Sequence, residues 1–415
     1  MGRLRWRRGG ALSWVLVLVW ATLGCGEALE PGPLPPRCAG PAAEGHFPEG
    51  VYLLTMYPGT QLFSYFGHNG LYVRRGAVDT IFNFGAFDTR DPNLLSGFVR
   101  GTQDYLLATR SFASMMDLYA REERTVVVTA LHLPPAVEER LVTRLLFEAR
   151  EENRVYRYHW FSANCSTRIR DLLDQVMDGS LAPQHGVESH RTQYSEVLRL
   201  VRQDVGVWFA LSLTLYQGAH RPLTQWELAF LPEELRRLVL ASTGEDGSPL
   251  SGEECTLLLG APQRSQVPRF PVAWLAAVSL LVSGACVWGL RRGAARWGRV
   301  AAALVLGLWV SLGGLLGGLS LGLWWGRALE IFWANPLLLV MSPVGLVGPL
   351  LAAGLIGGWR WSRWLRWPLA LMLMAQALAL LLLPWWGSPL QMVQAALLWT
   401  PATLVAAWAV GWRRA

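Results

Sequence analysis

The acids of this chain all but stop two-thirds of the way along it. Beyond residue 270 only Glu330 carries a negative side chain, against ten arginines, and apolar stretches fill residues 271–290, 300–323, 335–358, 368–386 and 390–411. Each stretch is near the ~20 residues that cross the hydrocarbon core of a bilayer. Backbone in that core must satisfy its own hydrogen bonds, so such stretches become helices. The pattern predicts an all-α bundle of about five transmembrane helices over 271–411.

Arginine is retained on the cytoplasmic side of a membrane, so the loops orient the spans. Arg291, Arg292, Arg296 and Arg299 fill the first loop, Arg360, Arg363 and Arg366 the third, and Arg413 and Arg414 close the chain. The second and fourth loops are nearly uncharged. This alternation puts the C-terminus inside and residues 26–270 outside. The N-terminus agrees: Arg3, Arg5, Arg7 and Arg8 precede an apolar run over 11–23, the layout of a signal peptide or N-terminal anchor over 1–25. Thr22-Leu23-Gly24-Cys25 loosely resembles a lipobox, with the leucine one place too close. Lipidation at Cys25, cleavage nearby and an uncleaved anchor all stay open.

The formal net charge of +7 invites a nucleic-acid reading, but position removes it. Residues 26–270 hold 23 of the 37 basic residues and 29 of the 30 acids, a net of −6. A nucleic-acid face is basic, so no nucleic-acid partner is expected. Sixteen of the 22 Trp lie beyond residue 270, many at span ends, as interfacial anchors do. Asn335-Pro336 and Ser342-Pro343 interrupt the third span. Such breaks persist where protein or water satisfies the freed backbone, and this one is a candidate to line a lipid cleft.

Residues 26–44 are Pro-rich and read as a linker. Residues 45–262 read as an extracytoplasmic α+β domain. Strand signals run over 51–56, 69–73, 79–84 and 125–131. Pro134-Pro135 opens an amphipathic helix with Val137, Leu141, Leu145 and Ala149 on one face. Residues 191–240 read as mostly helical, and 243–254 as a polar loop.

Within that domain Asn164-Cys165-Ser166-Thr167-Arg168-Ile169-Arg170-Asp171 is the most informative string. Ile169, Leu172, Leu173, Val176 and Met177 recur at helical spacing, so a helix starts near Ser166 with Asn164 or Ser166 able to cap it. Cys165 stands at its N-terminus, where orphan N–H groups and the dipole favour a thiolate. Arg168 and Arg170 add positive charge, and Asp171 and Asp174 can pair with them. A thiolate at a helix start is the core of papain-type catalysis. The bland alternative is a buried small hydrophobe or half of a disulfide. Cys38 and Cys255, near the two ends of the domain, are candidates to bridge each other, and Cys286 lies within a span.

A nucleophilic thiol needs a base. His68, at a strand start inside Phe66-Gly67-His68-Asn69-Gly70, is the candidate, because flanking glycines permit close approach. Asn83 on the next strand is placed to orient the imidazole, although an ordinary strand role would also account for it. His132, His159, His185 and His190 show no metal-ligand spacing, so no metal and no cofactor is expected.

Thr55-Met56-Tyr57-Pro58-Gly59, Phe66-Gly67-His68, Phe82-Asn83-Phe84-Gly85-Ala86-Phe87-Asp88, Gly101 and the Asn164-to-Asp171 string together resemble the Lnb family of bacterial lipoprotein N-acyltransferases. The motifs span about residues 45–185. This resemblance implies a papain-like fold in permuted order, His before Cys, on a multi-pass protein of the bacterial inner membrane with its domain facing the periplasm or exterior. It implies Cys165 and His68 as the catalytic pair, a phospholipid acyl donor and a lipoprotein acceptor. Asn83, Asn164 and Ser166 are expected as orienting or oxyanion groups, and Arg168, Arg170 and Asp171 as supporting ones. Ser166 departs mildly from the Thr or Ala associated with that position. Two other classes fit the residues: an exported thiol hydrolase of acyl esters or cell-wall amides, and a non-catalytic membrane scaffold.

Overall fold

The computed structural model describes residues 33–87, 90–216, 218–260, 272–291, 294–326, 329–359, 364–382 and 389–411. The leader with Cys25, and Arg292, Arg360, Arg363, Arg413 and Arg414, lie outside the described residues. Alternating apolar side chains in the first half need cover on two faces. They find it in a seven-stranded antiparallel sheet. Its strands are β1 (Gly50–Met56), β2 (His68–Arg75), β3 (Val78–Ala86), β4 (Asp104–Arg110), β5 (Val126–Leu131), β6 (Val155–Arg157) and, after a short ribbon of β7 (Glu188–Thr192) and β8 (Pro222–Thr224), β9 (Ser251–Leu258). The order across the sheet is β6-β4-β3-β2-β1-β5-β9.

Helices α1 (Leu94–Arg100), α2 (Phe112–Arg121), α3 (Pro135–Glu148), α4 (Cys165–Val176), α5 (Gln193–Val201), α6 (Val205–Thr214), α7 (Gln225–Leu228) and α8 (Pro232–Ala241) complete the domain. Val51, Leu53, Leu71, Val73, Phe82 and Phe84 meet Leu141 and Leu145 of α3, Ile169, Leu172 and Leu173 of α4, and Leu235 and Leu238 of α8. Their alternation partners Tyr52, Leu54, Tyr72 and Ile81 meet Met115 and Tyr119 of α2 on the other face. Each fully buried aliphatic side chain contributes on the order of 1.5–3 kcal/mol, so the first of these layers holds α4 firmly on the sheet.

Two polar segments join this domain against expectation. The Pro-rich stretch expected as a linker runs along β9: Cys38 N–H donates to the Thr256 carbonyl at 3.1 Å, and the Thr256 hydroxyl to the Pro35 carbonyl at 2.7 Å. Residues 251–254, expected as loop, begin β9 itself, which pairs with β5. Both segments lie at the sheet edge, where one face is open and composition carries no alternation. The Cys38–Cys255 disulfide ties them together.

The second half is helical: α9 (Val272–Leu290), α10 (Arg296–Trp325), α11 (Gly348–Gly357), α12 (Arg366–Leu381) and α13 (Pro389–Gly411). Among the described residues two helices, Arg296–Trp325 and Met392–Gly411, are long and apolar enough to cross a membrane. A third candidate is the pair Glu330–Leu339 and Pro343–Gly357, bent by 60° at its break, and Ala276–Leu290 and Arg366–Leu381 are shorter apolar helices. The bare faces of α10 let the broken segment pack close. A Cβ on Gly317 would sit 1.6 Å from the Met341 carbonyl oxygen.

Asn335 does not line a cleft. It is buried, and its side chain accepts from Leu337 N–H and donates to the Leu213 carbonyl at 2.7 Å and the Thr214 carbonyl at 3.3 Å. It therefore clamps the end of α6 to the bundle. Leu329, Ile331 and Phe332 pack beside Tyr65, Val197 and Val201 of the sheet domain. Glu330, the lone acid of the second half, faces His159 at 3.3 Å.

Candidate active site

Strand β2 begins at His68, and the turn into it requires glycine. Gly67 has φ +80, and a Cβ there would meet the Met56 carbonyl oxygen at 2.8 Å. The register of β2 and β3, with Leu71 opposite Phe82, leaves Asn83 diagonal to His68. The pairing of β3 with β4 then shifts between Asn83 and Ala86, a bulge holding Gly85 at φ +94. Bulges of this kind re-aim neighbouring side chains. A Cβ on Gly85 would lie 3.6 Å from both the Cys165 Cβ and the His68 Cε1, so thiol and imidazole converge over this bare position.

The Nε2 of His68 hydrogen-bonds the Asn83 Oδ1. That contact fixes the ring and leaves Nδ1 for the thiol. Cys165 is the first residue of α4. Its N-cap is Asn164, whose Oδ1 accepts from Ser166 N–H and Thr167 N–H, both at 2.9 Å. Thr167 Oγ1 returns the favour by accepting Asn164 N–H at 2.8 Å. This capping box leaves the Cys165 N–H as the donor at the helix start. The Asn164 amide group donates to the Trp160 carbonyl at 2.8 Å and the Phe230 carbonyl at 2.9 Å, so it faces away from the thiol.

Ser166 is fully buried, donates to Asn69 Oδ1 at 2.8 Å, and has its hydroxyl 3.8 Å from the sulfur. Arg168, Arg170 and Asp171 are not gathered around the sulfur. Arg168 pairs with Glu148 of α3 at 2.8 Å and lies over the Phe84 and Tyr156 rings. Arg170 pairs with Asp171 at 2.7 Å and donates to the Trp226 carbonyl. Asp174 accepts from Leu181 N–H and Ala182 N–H and takes neither arginine. The guanidinium groups are taken up by Glu148, Asp171 and the Trp226 carbonyl. They secure α4 to the domain.

Burial raises the thiol pKa, but the His68 charge and hydrogen bond, the Asn69 N–H and the Ser166 hydroxyl outweigh it and bring Cys165 down to about 7. For His68, burial pushes downward, and the sulfur's charge, its hydrogen bond and Asn83 together lift the imidazole above its ordinary value. Both shifts favour a thiolate–imidazolium pair.

The pair opens into a cavity of about 350 Å³. Its walls are mostly aliphatic and aromatic, Phe63, Phe98, Phe161, Val207, Ala210 and Leu211 among them. Two parts of this site escaped the sequence reading. Asn69, fully buried, positions Ser166 and donates its N–H toward the sulfur. Helix α6 supplies one cavity wall. Its run Val205-Gly206-Val207-Trp208-Phe209-Ala210-Leu211 is apolar all round, which signalled contact on every side but not with what.

Residues 48–198 match the family model of the Lnb N-terminal periplasmic domain. That span contains His68, Asn83 and Cys165 and stops within α5, before α6 and the bundle. No curated protein matches the chain, and no solved structure does.

Proposed function

From the match of residues 48–198 to the Lnb N-terminal periplasmic domain, we propose that the chain is an Lnb-type membrane acyltransferase that moves an acyl chain from a phospholipid, through a thioester on Cys165, to the N-terminal amine of a lipoprotein. The observation that carries this reading is a low-pKa thiol paired with an imidazole in the wall of an apolar cavity beside the apolar helical half. Its domain then works as a permuted papain-like site, His before Cys.

In the first half-reaction the Cys165 thiolate attacks the ester carbonyl of the donor. The tetrahedral oxyanion is held by the Cys165 N–H at the start of α4. The acyl–oxygen bond breaks, the lysophospholipid oxygen takes the proton from the His68 imidazolium, and the thioester remains. In the second half-reaction the neutral α-amine of the acceptor attacks the thioester. His68, now neutral, takes the amine's proton, the C–S bond breaks, and an amide leaves with the thiolate–imidazolium pair restored. Asn83 holds the ring in the orientation both steps need, and Asn164 and Ser166 hold the helix start.

Intact-mass measurement of the full chain in phospholipid tests this. Cys165 gains one acyl mass, and adding a diacylated lipopeptide transfers that mass to the lipopeptide amine. Cys165→Ala gains none. Free fatty acid released at the same rate with or without lipopeptide would replace the transferase reading with a hydrolase.

A further inference from the structure

Helix α6 is apolar around its whole circumference, yet it is not a core helix. Val207, Ala210 and Leu211, spaced i, i+3 and i+4 on one face, line the cavity that ends at Cys165. Val207 and Leu211 are half-buried, packed in part against the cluster of Tyr65, Val197 and Val201, and Ala210 is exposed, so this face is only partly covered by protein. Phe209 and Leu213 leave the helix in another direction and pack with Leu337, Val340, Met341 and Trp399 of the bundle. Asn335 holds the C-terminal carbonyls of α6 from the bundle side. Helix α6 is therefore a partition, with a reactive thiol's cavity on one side and the membrane segments on the other.

An apolar wall facing an apolar cavity is stable only with an apolar occupant or at the cost of wetted hydrocarbon. The cavity holds about 350 Å³, within the range of sites that enclose a small ligand. Its lining is mostly apolar and carries the reactive pair His68 and Cys165. A molecule with one reactive polar end and a long aliphatic remainder matches that layout.

We propose that α6 is the acyl-selecting wall of the thiol site: Val207, Ala210 and Leu211 set how long an aliphatic chain Cys165 accepts, and the bundle holds that wall in place. This inference rests on the acyl-transfer reading. It places length selection outside the residues matched by the family model, on a helix shared with the membrane. A methylene that fits is worth about fourfold in occupancy, the equivalent of ~0.8 kcal/mol. Ala210→Phe, filling the cavity, moves the preferred chain shorter by about two methylenes. Leu211→Ala, enlarging it, moves the preference longer.

The test uses the full chain in vesicles holding equal amounts of diacyl phospholipids of stepwise increasing chain length. The acyl masses on Cys165 are read by intact-mass spectrometry. In parallel, 1-alkanols of the same lengths are scored for protecting Cys165 from alkylation, a readout that needs no transfer chemistry. Opposite shifts from Ala210→Phe and Leu211→Ala in either readout support the wall, and opposite signs do not arise from misfolding. Wild-type length profiles in both variants, in whichever readouts respond, overturn it. An absence of both thioester and length-dependent protection in the wild type overturns it too. Length-dependent protection that shifts with the variants, but with no thioester on any chain, keeps the wall and overturns the transferase reading.

Discussion

At the scale of single residues the site depends on a balance of burial against paired charge. Burial opposes the thiolate of Cys165, and His68 and its hydrogen bonds reverse that sign. The alkylation rate of Cys165 should therefore rise with pH through a midpoint near 7. In His68→Ala the opposing burial remains without the attracting charge, so the midpoint climbs above the ordinary thiol value near 9. Acyl transfer in that variant falls by at least ~10²-fold, the usual contribution of a positioned acid–base group. An unchanged alkylation midpoint would show that the ring and thiol are not coupled. Asn83 acts through the ring, so Asn83→Ala lowers the rate less than His68→Ala does. The pair itself was legible in the sequence because glycine at 67 and a helix-start string at 164–171 are local signals. Asn69 was not legible, because its role arises only when β2 packs against α4.

At the scale of elements, α4 is the part that must not move. Its N-cap is Asn164, and the same side chain ties the helix start to the carbonyls of Trp160 and Phe230. Asn164→Ala removes the cap and strands the buried Phe230 carbonyl and the part-buried Trp160 carbonyl. The cap alone costs about 1 kcal/mol, and each orphaned buried acceptor adds about as much. The melting temperature of the full chain in detergent should fall in Asn164→Ala and stay at the wild-type value in Cys165→Ala. Equal melting of all three proteins would remove the cap from the account. Helix periodicity made α4 visible from Ile169 to Met177. Arg170 takes the expected partner Asp171, whereas Arg168 pairs with Glu148 on α3, which spacing along one helix could not show.

At the scale of the whole molecule, the sheet domain and the bundle share one apolar seam. Leu329, Ile331 and Phe332 enter the domain beside Val197 and Val201, and Asn335 grips the end of α6. Asn335→Ala should loosen that wall without touching the thiol. The expected result is slower acyl transfer with the alkylation midpoint of Cys165 held near 7. A shift of that midpoint would mean that the bundle acts on the thiol itself. The result is a membrane protein with an extracytoplasmic domain, one wall of whose candidate site, α6, packs on the apolar helical half.

By itself the sequence marked where the apolar helical half begins and which thiol and imidazole the fold brings together. Those properties follow from local hydropathy, charge and spacing, which need no partner to be read. Tertiary structure decided the rest: the edge strand β9 and its tie to Cys38, the retreat of Arg168 and Arg170 from the thiol, and the double-sided use of α6. Each of these depends on what packs opposite a residue. The apolar run of α6 is the clearest case. Its composition required contact all round, and only packing assigned one face to the bundle and the other to an open cavity ending at Cys165.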